Sequence, residues 1–382
     1  MKSVGIITIL KVNNYGAELQ AYATQKAMEN MGYDAEIIDY LFYKNKRYVR
    51  ERISEPFYPY PLKNKIKEYL LRVRDKMSLV LHRRKAVKRE TAFENFHKKH
   101  TKMSSFCYRR MSELYDNPPQ YDVYCVGSDQ VWNPRCYTSL YPYFLTFAPK
   151  GKKRFSYASS FGVSSIPASA KDCYRKSLLE LNNIGVREWT GKTLVKGISG
   201  QEATVVCDPT ILLEKSEWLQ VCEKVDELPA HYLLVYELAA TPYIMKMAEY
   251  VAERQKLKIV RICKDVVQGK DDGKVLNLRE CGPAKFLYAF AHADFIVTNS
   301  FHGTVFSIIF NKDFYTVISK RSTNNSRQEN LLESCGLIDR LIDDSMDFPD
   351  ASGFCVDFGI PNKKITAWRE VSRDFIRQSI EN

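Results

Sequence analysis

The residues best suited to chemistry cluster in Asn299-Ser300-Phe301-His302-Gly303-Thr304. The apolar run Ala293 to Val297 before them reads as a buried parallel strand. After them, Val305, Ile308 and Ile309 fall at helical spacing, so a helix is expected from Thr304. Strand, polar turn and helix put His302 at or near a helix N-terminus, where backbone N–H groups suit an anion. An imidazole there can give or take a proton near neutral pH. Gly303 permits a tight turn or a close approach by a ligand. Two other strand ends carry reactive groups. Tyr121 to Val126 ends in Gly127-Ser128-Asp129, where Asp129 is a base, a hydroxyl acceptor or an N-cap for the next turn. Ile184 to Glu188 ends on Arg187-Glu188, and that guanidinium suits an anionic ligand or a salt bridge. His292, beside apolar Ala289-Phe290-Ala291, reads as structural. His82, His97 and His100 lie in a basic stretch and read as solvent-facing.

Positioning these groups requires alternating strands and helices. Val4 to Leu10 reads as a first strand, Asn13-Asn14-Tyr15-Gly16 as a polar turn, Ala17 to Met31 as a helix and Asp34 to Asp39 as a second strand. Further strands are expected at Arg154 to Ser159, Thr204 to Cys207, Tyr232 to Tyr236, Lys258 to Cys263 and Asp313 to Ser319. Helices are expected at Ala170 to Leu181, from Thr190, Pro242 to Gln255, Pro283 to Ala291, Gln328 to Cys335 and Lys364 to Ile380. The βα rhythm restarts after a Gly/Ser cluster at Gly197 to Gln201. Two Rossmann-like domains are therefore expected, 1–197 and 198–363, with 364–382 as a terminal helix and the active cleft between the domains. GxGxxG is lacking, so a dinucleotide site is not supported.

The 382 residues and 45% hydrophobic content suit two sizeable cores. Ten scattered cysteines form no CxxC and no zinc spacing, so reduced buried thiols are expected and no metal site. The apolar start is short and turns polar at Asn13, unlike a signal peptide, and no run nears the ~18 apolar residues of a membrane span. A soluble cytoplasmic protein is the expectation. The net charge of +12 is local: residues 44–110 hold 21 Lys and Arg against 6 Asp and Glu. Within an insertion at 43–111, Pro56, Pro59 and Pro61 read as a loop and Leu62 to Phe96 as a basic, partly amphipathic helix. A solvated face, peripheral contact with an anionic membrane or lipid-phosphate-linked substrate, and nucleic-acid binding all remain open. No nucleic-acid motif is present, and none is expected as a partner.

The motifs together resemble the polysaccharide pyruvyl transferase family. The ordered features are Asn13-Asn14-Tyr15-Gly16-Ala17 with Leu19-Gln20-Ala21-Tyr22; Val126-Gly127-Ser128-Asp129-Gln130-Val131-Trp132-Asn133; Tyr157-Ala158-Ser159-Ser160-Phe161-Gly162; Val186-Arg187-Glu188; Asp208-Pro209-Thr210; Ser300-Phe301-His302-Gly303; and Arg327 ahead of Leu331-Leu332 and Gly336-Leu337. The resemblance implies an α/β, GT-B-like fold and transfer of pyruvate from phosphoenolpyruvate (PEP) to two hydroxyls of one sugar. The product is a cyclic ketal on a cell-surface polysaccharide or its lipid-linked precursor. The family's active-site His falls on His302 and its donor-binding Arg on Arg187. On this basis His302 and Asp129 are the expected catalytic pair. Arg187, Ser300, Gly303, Thr304 and Arg327 are expected to hold PEP, and Asn14, Tyr15, Ser128 and Trp132 the acceptor. No cofactor is expected beyond PEP as donor substrate. A GT-B glycosyltransferase using a nucleotide sugar, and a non-catalytic polysaccharide or membrane binder, are the competing expectations.

Overall fold

Short apolar runs buried on both faces, such as Val123–Val126 and Phe295–Thr298, must be strands with helices on each side. The computed structural model describes residues 1–51, 82–136, 139–239, 241–270, 272–320 and 325–382. Its strands form two six-stranded sheets, parallel throughout. The first contains β1 (Ser3–Ile7), β2 (Asp34–Ile37), β3 (Val123–Val126), β4 (Lys153–Ser159), β5 (Asn183–Val186) and β6 (Thr204–Val205), in the order β2-β1-β3-β4-β5-β6. The second contains β7 (Tyr232–Tyr236), β8 (Lys258–Ile262), β9 (Val275–Leu278), β10 (Phe295–Thr298), β11 (Asp313–Ile318) and β12 (Leu341–Asp343), in the order β12-β11-β10-β7-β8-β9. Each order reverses once, between β1 and β3 and between β7 and β10. Ligands bind open α/β sheets beyond the carboxyl ends of strands at such reversals. The fold is thus α/β with two Rossmann-like units, in line with the GT-B-like expectation.

The described residues of Met1–Pro61, His97–Leu213 and Thr366–Asn382 form one unit; those of Leu62–Phe96 and Glu214–Ile365 form the other. The boundary therefore falls later than the Gly/Ser cluster. Gly200 caps the helix Trp189–Ser199 in the left-handed region at φ +76, so the cluster stops a helix and does not link domains. The expected terminal helix is present as Gly359–Glu381, but it is not a separate unit. From Thr366 it belongs to the first unit, where Arg369 Nε donates to the Ile211 carbonyl (2.7 Å) and the Cys207 N–H donates to Ser372 Oγ (2.9 Å).

Of the basic insertion, 52–81 lie outside the described residues. The following segment is a helix, Arg83–His100. His97 on it is not solvent-facing: it is 6% exposed, with Nε2 2.6 Å from Oε2 of buried Glu18. Phe93, Phe96 and His97 share one buried face, which gathers the apolar side of an otherwise charged helix.

Candidate functional site

In the second unit the helix after β10 runs Phe301–Ile309, three residues earlier than its apolar spacing suggested. Ser300 is its N-cap and accepts from the Gly303 N–H through Oγ at 3.3 Å. His302 therefore lies within the first turn, 8% exposed, its ring edge-on to Phe301. The guanidinium of Arg327, on the helix Ser326–Cys335, lies 5.9 Å from the Phe301 ring centroid. A cation and an imidazole are thus gathered at one helix start, the local arrangement an anion favours.

The loops at this edge are clamped. Thr298 Oγ1 donates to the Tyr236 carbonyl at 2.6 Å, joining β10 to β7. Asn299 accepts from the Leu238 N–H (2.8 Å) and donates to the Ala239 carbonyl (2.7 Å). Burial pushes the Tyr236 phenol up, partly offset by the Arg89 charge and a hydrogen bond with Ser300. Two expected donor contacts take other roles. A Cβ at Gly303 would lie 2.2 Å from Thr298 Oγ1, so the glycine serves helix-on-strand packing. Thr304 is fully buried, with Oγ1 bonded to the Ser300 carbonyl and to Thr316 Oγ1.

The first unit collects carboxylates at its own edge. Arg187, one residue past β5, is buried with its side chain 2% exposed. Its guanidinium lies 2.9 Å from Asp208, 3.6 Å from Glu188 and 4.0 Å from Asp129. Burial alone would lower its pKa, but the three carboxylates together hold it above the usual arginine value. Glu188 also accepts from Ser160 Oγ, and Asp208 caps the Pro209–Leu212 turn through Thr210. Arg187 is thus committed to protein carboxylates, the salt-bridge alternative of the sequence. Among these three, Asp129 has the most exposed side chain, at 20%. Its backbone sits at φ +69, a left-handed conformation costly for a non-glycine residue.

The expected acceptor residues divide. Asn14 is exposed and caps the helix Tyr15–Asn30 by accepting from the Ala17 N–H at 3.1 Å. Trp132 instead is a core residue: wholly buried, stacked on Phe144 at 5.2 Å, its indole N–H donating to the Tyr143 carbonyl at 2.8 Å. Tyr15 is 1% exposed and Ser128 is fully buried, its Oγ 3.4 Å from Asp208. Neither presents an acceptor surface here. His292 is exposed, stacked on Tyr288. Nothing in the sequence pointed to the clamping hydroxyls of Thr298 and of Thr8, whose Oγ1 donates to the Ser128 carbonyl at 3.0 Å, or to Glu237, which is 2% exposed after β7; a threonine or glutamate at a strand end carries no spacing signal. No metal-ligating group of three or more His, Cys, Asp or Glu occurs among the described residues. No described helix is long and apolar enough to cross a membrane.

A family model described as polysaccharide pyruvyl transferase matches residues 14–320. No curated protein matches the sequence. Among solved structures, the chain is similar to UGT89C1 of Arabidopsis thaliana complexed with UDP-L-rhamnose. The identity is 12%, covering 100% of this chain and 93% of that one, with a TM-score of 0.48. It is also similar to UDP-GlcNAc 2-epimerase of Neisseria meningitidis bound to UDP-GlcNAc, at 7% identity, 99% of both chains and TM-score 0.48. A third likeness is to ADP-heptose lps heptosyltransferase II of E. coli, at 10% identity, 97% and 99% coverage and TM-score 0.39.

Proposed function

As the chain belongs to the polysaccharide pyruvyl transferase family, we propose that it moves pyruvate from PEP onto two hydroxyls of one sugar, in a cell-surface polysaccharide or lipid-linked precursor. In this reaction the PEP methylene carbon gains a proton and becomes the ketal methyl. Two sugar oxygens bond to the neighbouring carbon, the C–O bond to phosphate breaks, and phosphate leaves with the second hydroxyl proton. No redox change is involved, and no cofactor is needed.

The observation that carries this reading is His302 in the first turn of a capped helix at the carboxyl edge of the second sheet, inside the matched family region. His302 is assigned as general acid/base, delivering the proton to carbon or taking one from an attacking hydroxyl. Arg327 and the helix start around His302 are assigned to the donor's negative charge. Asp129 is assigned to accept from an acceptor hydroxyl, and Asn14 to bind that acceptor. Arg187 is reassigned from donor fork to positioning residue, since its cage holds Asp129 near a cation.

The test is phosphate release from PEP with candidate glycans, with mass-spectrometric detection of a pyruvyl ketal. His302→Ala is expected to lose turnover while keeping its fold. Normal turnover by that variant would sink the assignment, and turnover requiring a nucleotide sugar would replace the reading with glycosyl transfer. Exposed Arg83, Arg84, Lys88, Lys98 and Lys99 on the helix Arg83–His100 support the further reading of peripheral contact with an anionic membrane. Cosedimentation with phosphatidylglycerol vesicles but not phosphatidylcholine vesicles is the expected result; equal recovery with both would refute it.

A further inference from the structure

The second unit holds a buried carboxylate that the reading above leaves unused. Glu237 directly follows β7, at the carboxyl edge where the strand order reverses, and is 2% exposed. One oxygen, Oε1, accepts from Gln268 Nε2 at 3.0 Å. The other, Oε2, has no hydrogen-bond partner among the described residues. Arg261 on β8 approaches Oε1 with Nε at 4.0 Å, and that Nε likewise lacks a hydrogen bond among the described residues. Its Nη2 donates to Met245 Sδ. A buried acceptor and a buried donor are therefore left open side by side, in a protein interior where unmade hydrogen bonds are costly.

The surroundings hold this carboxylate in place. Gln268 is fixed through its side chain, which accepts from the Lys264 N–H at 2.7 Å, and through its own N–H, which donates to Asp265. Arg89 donates to the carbonyls of Cys263 (2.9 Å) and Lys264 (3.1 Å), pinning the same loop. The group that completes the site must donate to a carboxylate and tolerate a guanidinium beside it. A metal cation or an ammonium is disfavoured by Arg261, and a phosphate or carboxylate is disfavoured by Glu237. An alcohol can donate to the one and accept from the other.

We infer that Glu237 and Arg261 form a hydroxyl-recognition site at the β7 reversal, taking a hydroxyl of a bound sugar or ribose. The inference rests on the second unit being a substrate-binding unit, as proposed above, and it extends that reading from the donor's anions to a hydroxylated ligand. Two titration arms separate the sources. One compares UMP with 2′,3′-dideoxy-UMP. The other compares methyl α- and β-glycosides of glucose, galactose and mannose with their deoxy forms. The expected result is about 10- to 100-fold tighter binding of the hydroxylated member in one arm, the range of a charge-assisted hydrogen bond. That preference should vanish in Glu237→Ala and in Arg261→Met, and persist in His302→Ala. Glu237→Gln, which keeps the side-chain shape, should lose most of it with an unchanged melting temperature. No preference in either arm, or one that survives Glu237→Gln, overturns the inference. PEP titrated in parallel reads the donor assignment separately, because its binding should not change in Glu237→Gln.

Discussion

Replacing Arg187 with methionine distinguishes a ligand-binding guanidinium from a structural one. In the native protein its closest approaches to Asp208, Glu188 and Asp129 are 2.9, 3.6 and 4.0 Å. With an effective dielectric of about 20 these separations correspond to attractions of roughly 6, 5 and 4 kcal/mol. Desolvation of the buried groups offsets most of that sum, so the whole cage contributes far less than its gross attraction. Removing the cation alone is different, because Asp208 and Glu188 then stay buried with their charges uncompensated. A loss of about 3–5 kcal/mol in unfolding free energy is expected for Arg187→Met. The double variant Arg187→Met/Asp208→Asn removes the nearest stranded charge and should recover part of it. Urea unfolding followed by tryptophan fluorescence measures the stability, and calorimetric titration with PEP measures the ligand. If Arg187→Met unfolds at the native urea midpoint while PEP binding is lost, the guanidinium serves the donor and the cage argument fails.

Asp129→Gly removes a side chain from a left-handed position, so it should retain or gain stability while turnover falls; a destabilised variant would contradict the strain argument. Gly303→Ala places a Cβ 2.2 Å from Thr298 Oγ1 and should lower stability by roughly 1–3 kcal/mol, visible as a lower melting temperature. Trp132→Ala should cost about 3–5 kcal/mol through cavity formation, whereas Trp132→Phe should leave the KM for acceptor unchanged, as suits a core residue. Burial pushes the Cys263 thiol up to about 11 and Cys125 well above its ordinary value, while Cys355 is exposed. Brief iodoacetamide treatment at pH 7.5 should therefore alkylate Cys355 well ahead of Cys125 and Cys263, as peptide mass spectrometry would show.

Strands whose residues are all apolar were legible at once. Tyr232–Tyr236 and the helix Pro242–Gln255 stand where the sequence placed them, because period and length agree there. The strands Val275–Leu278 and Leu341–Asp343 were not foreseen, being the two edge strands of their sheet, four and three residues long with polar members. Their extended form comes from pairing with β8 and β11, a non-local cause. The position of His302 at a helix start was legible because strand, polar turn and helix are all local. Trp132 was not, because an aromatic after Gly-Ser-Asp reads equally as a ligand platform or a core plug. Only the carbonyl of Tyr143, eleven residues on, settles which. For Arg187 the decisive partner, Asp208, lies twenty-one residues away on another loop.

The two reversals share a construction, and their difference bears on which substrate each unit would take. In the first unit Thr8 Oγ1 donates to the Ser128 carbonyl at 3.0 Å; in the second Thr298 Oγ1 donates to the Tyr236 carbonyl at 2.6 Å. Each threonine crowds a glycine: a Cβ at Gly127 would lie 3.0 Å from Thr8 Cβ, and one at Gly303 would lie 2.2 Å from Thr298 Oγ1. A strand-end hydroxyl therefore fixes the loops in both, and loops held this way can keep reactive groups in place without help from a ligand. What differs is charge. The first edge carries Asp129, Glu188 and Asp208 around a single buried guanidinium, an excess of acceptors suited to hydroxyls. The second carries His302 and Arg327 at a helix start, suited to anions, with the Glu237–Arg261 pair as its hydroxyl-accepting part. Exchanging that balance is a direct test of the division. Asp129→Asn should weaken acceptor use more than PEP binding, and Arg327→Gln should do the reverse. If both variants lose PEP binding equally, the assignment of anion and hydroxyl to separate edges is wrong.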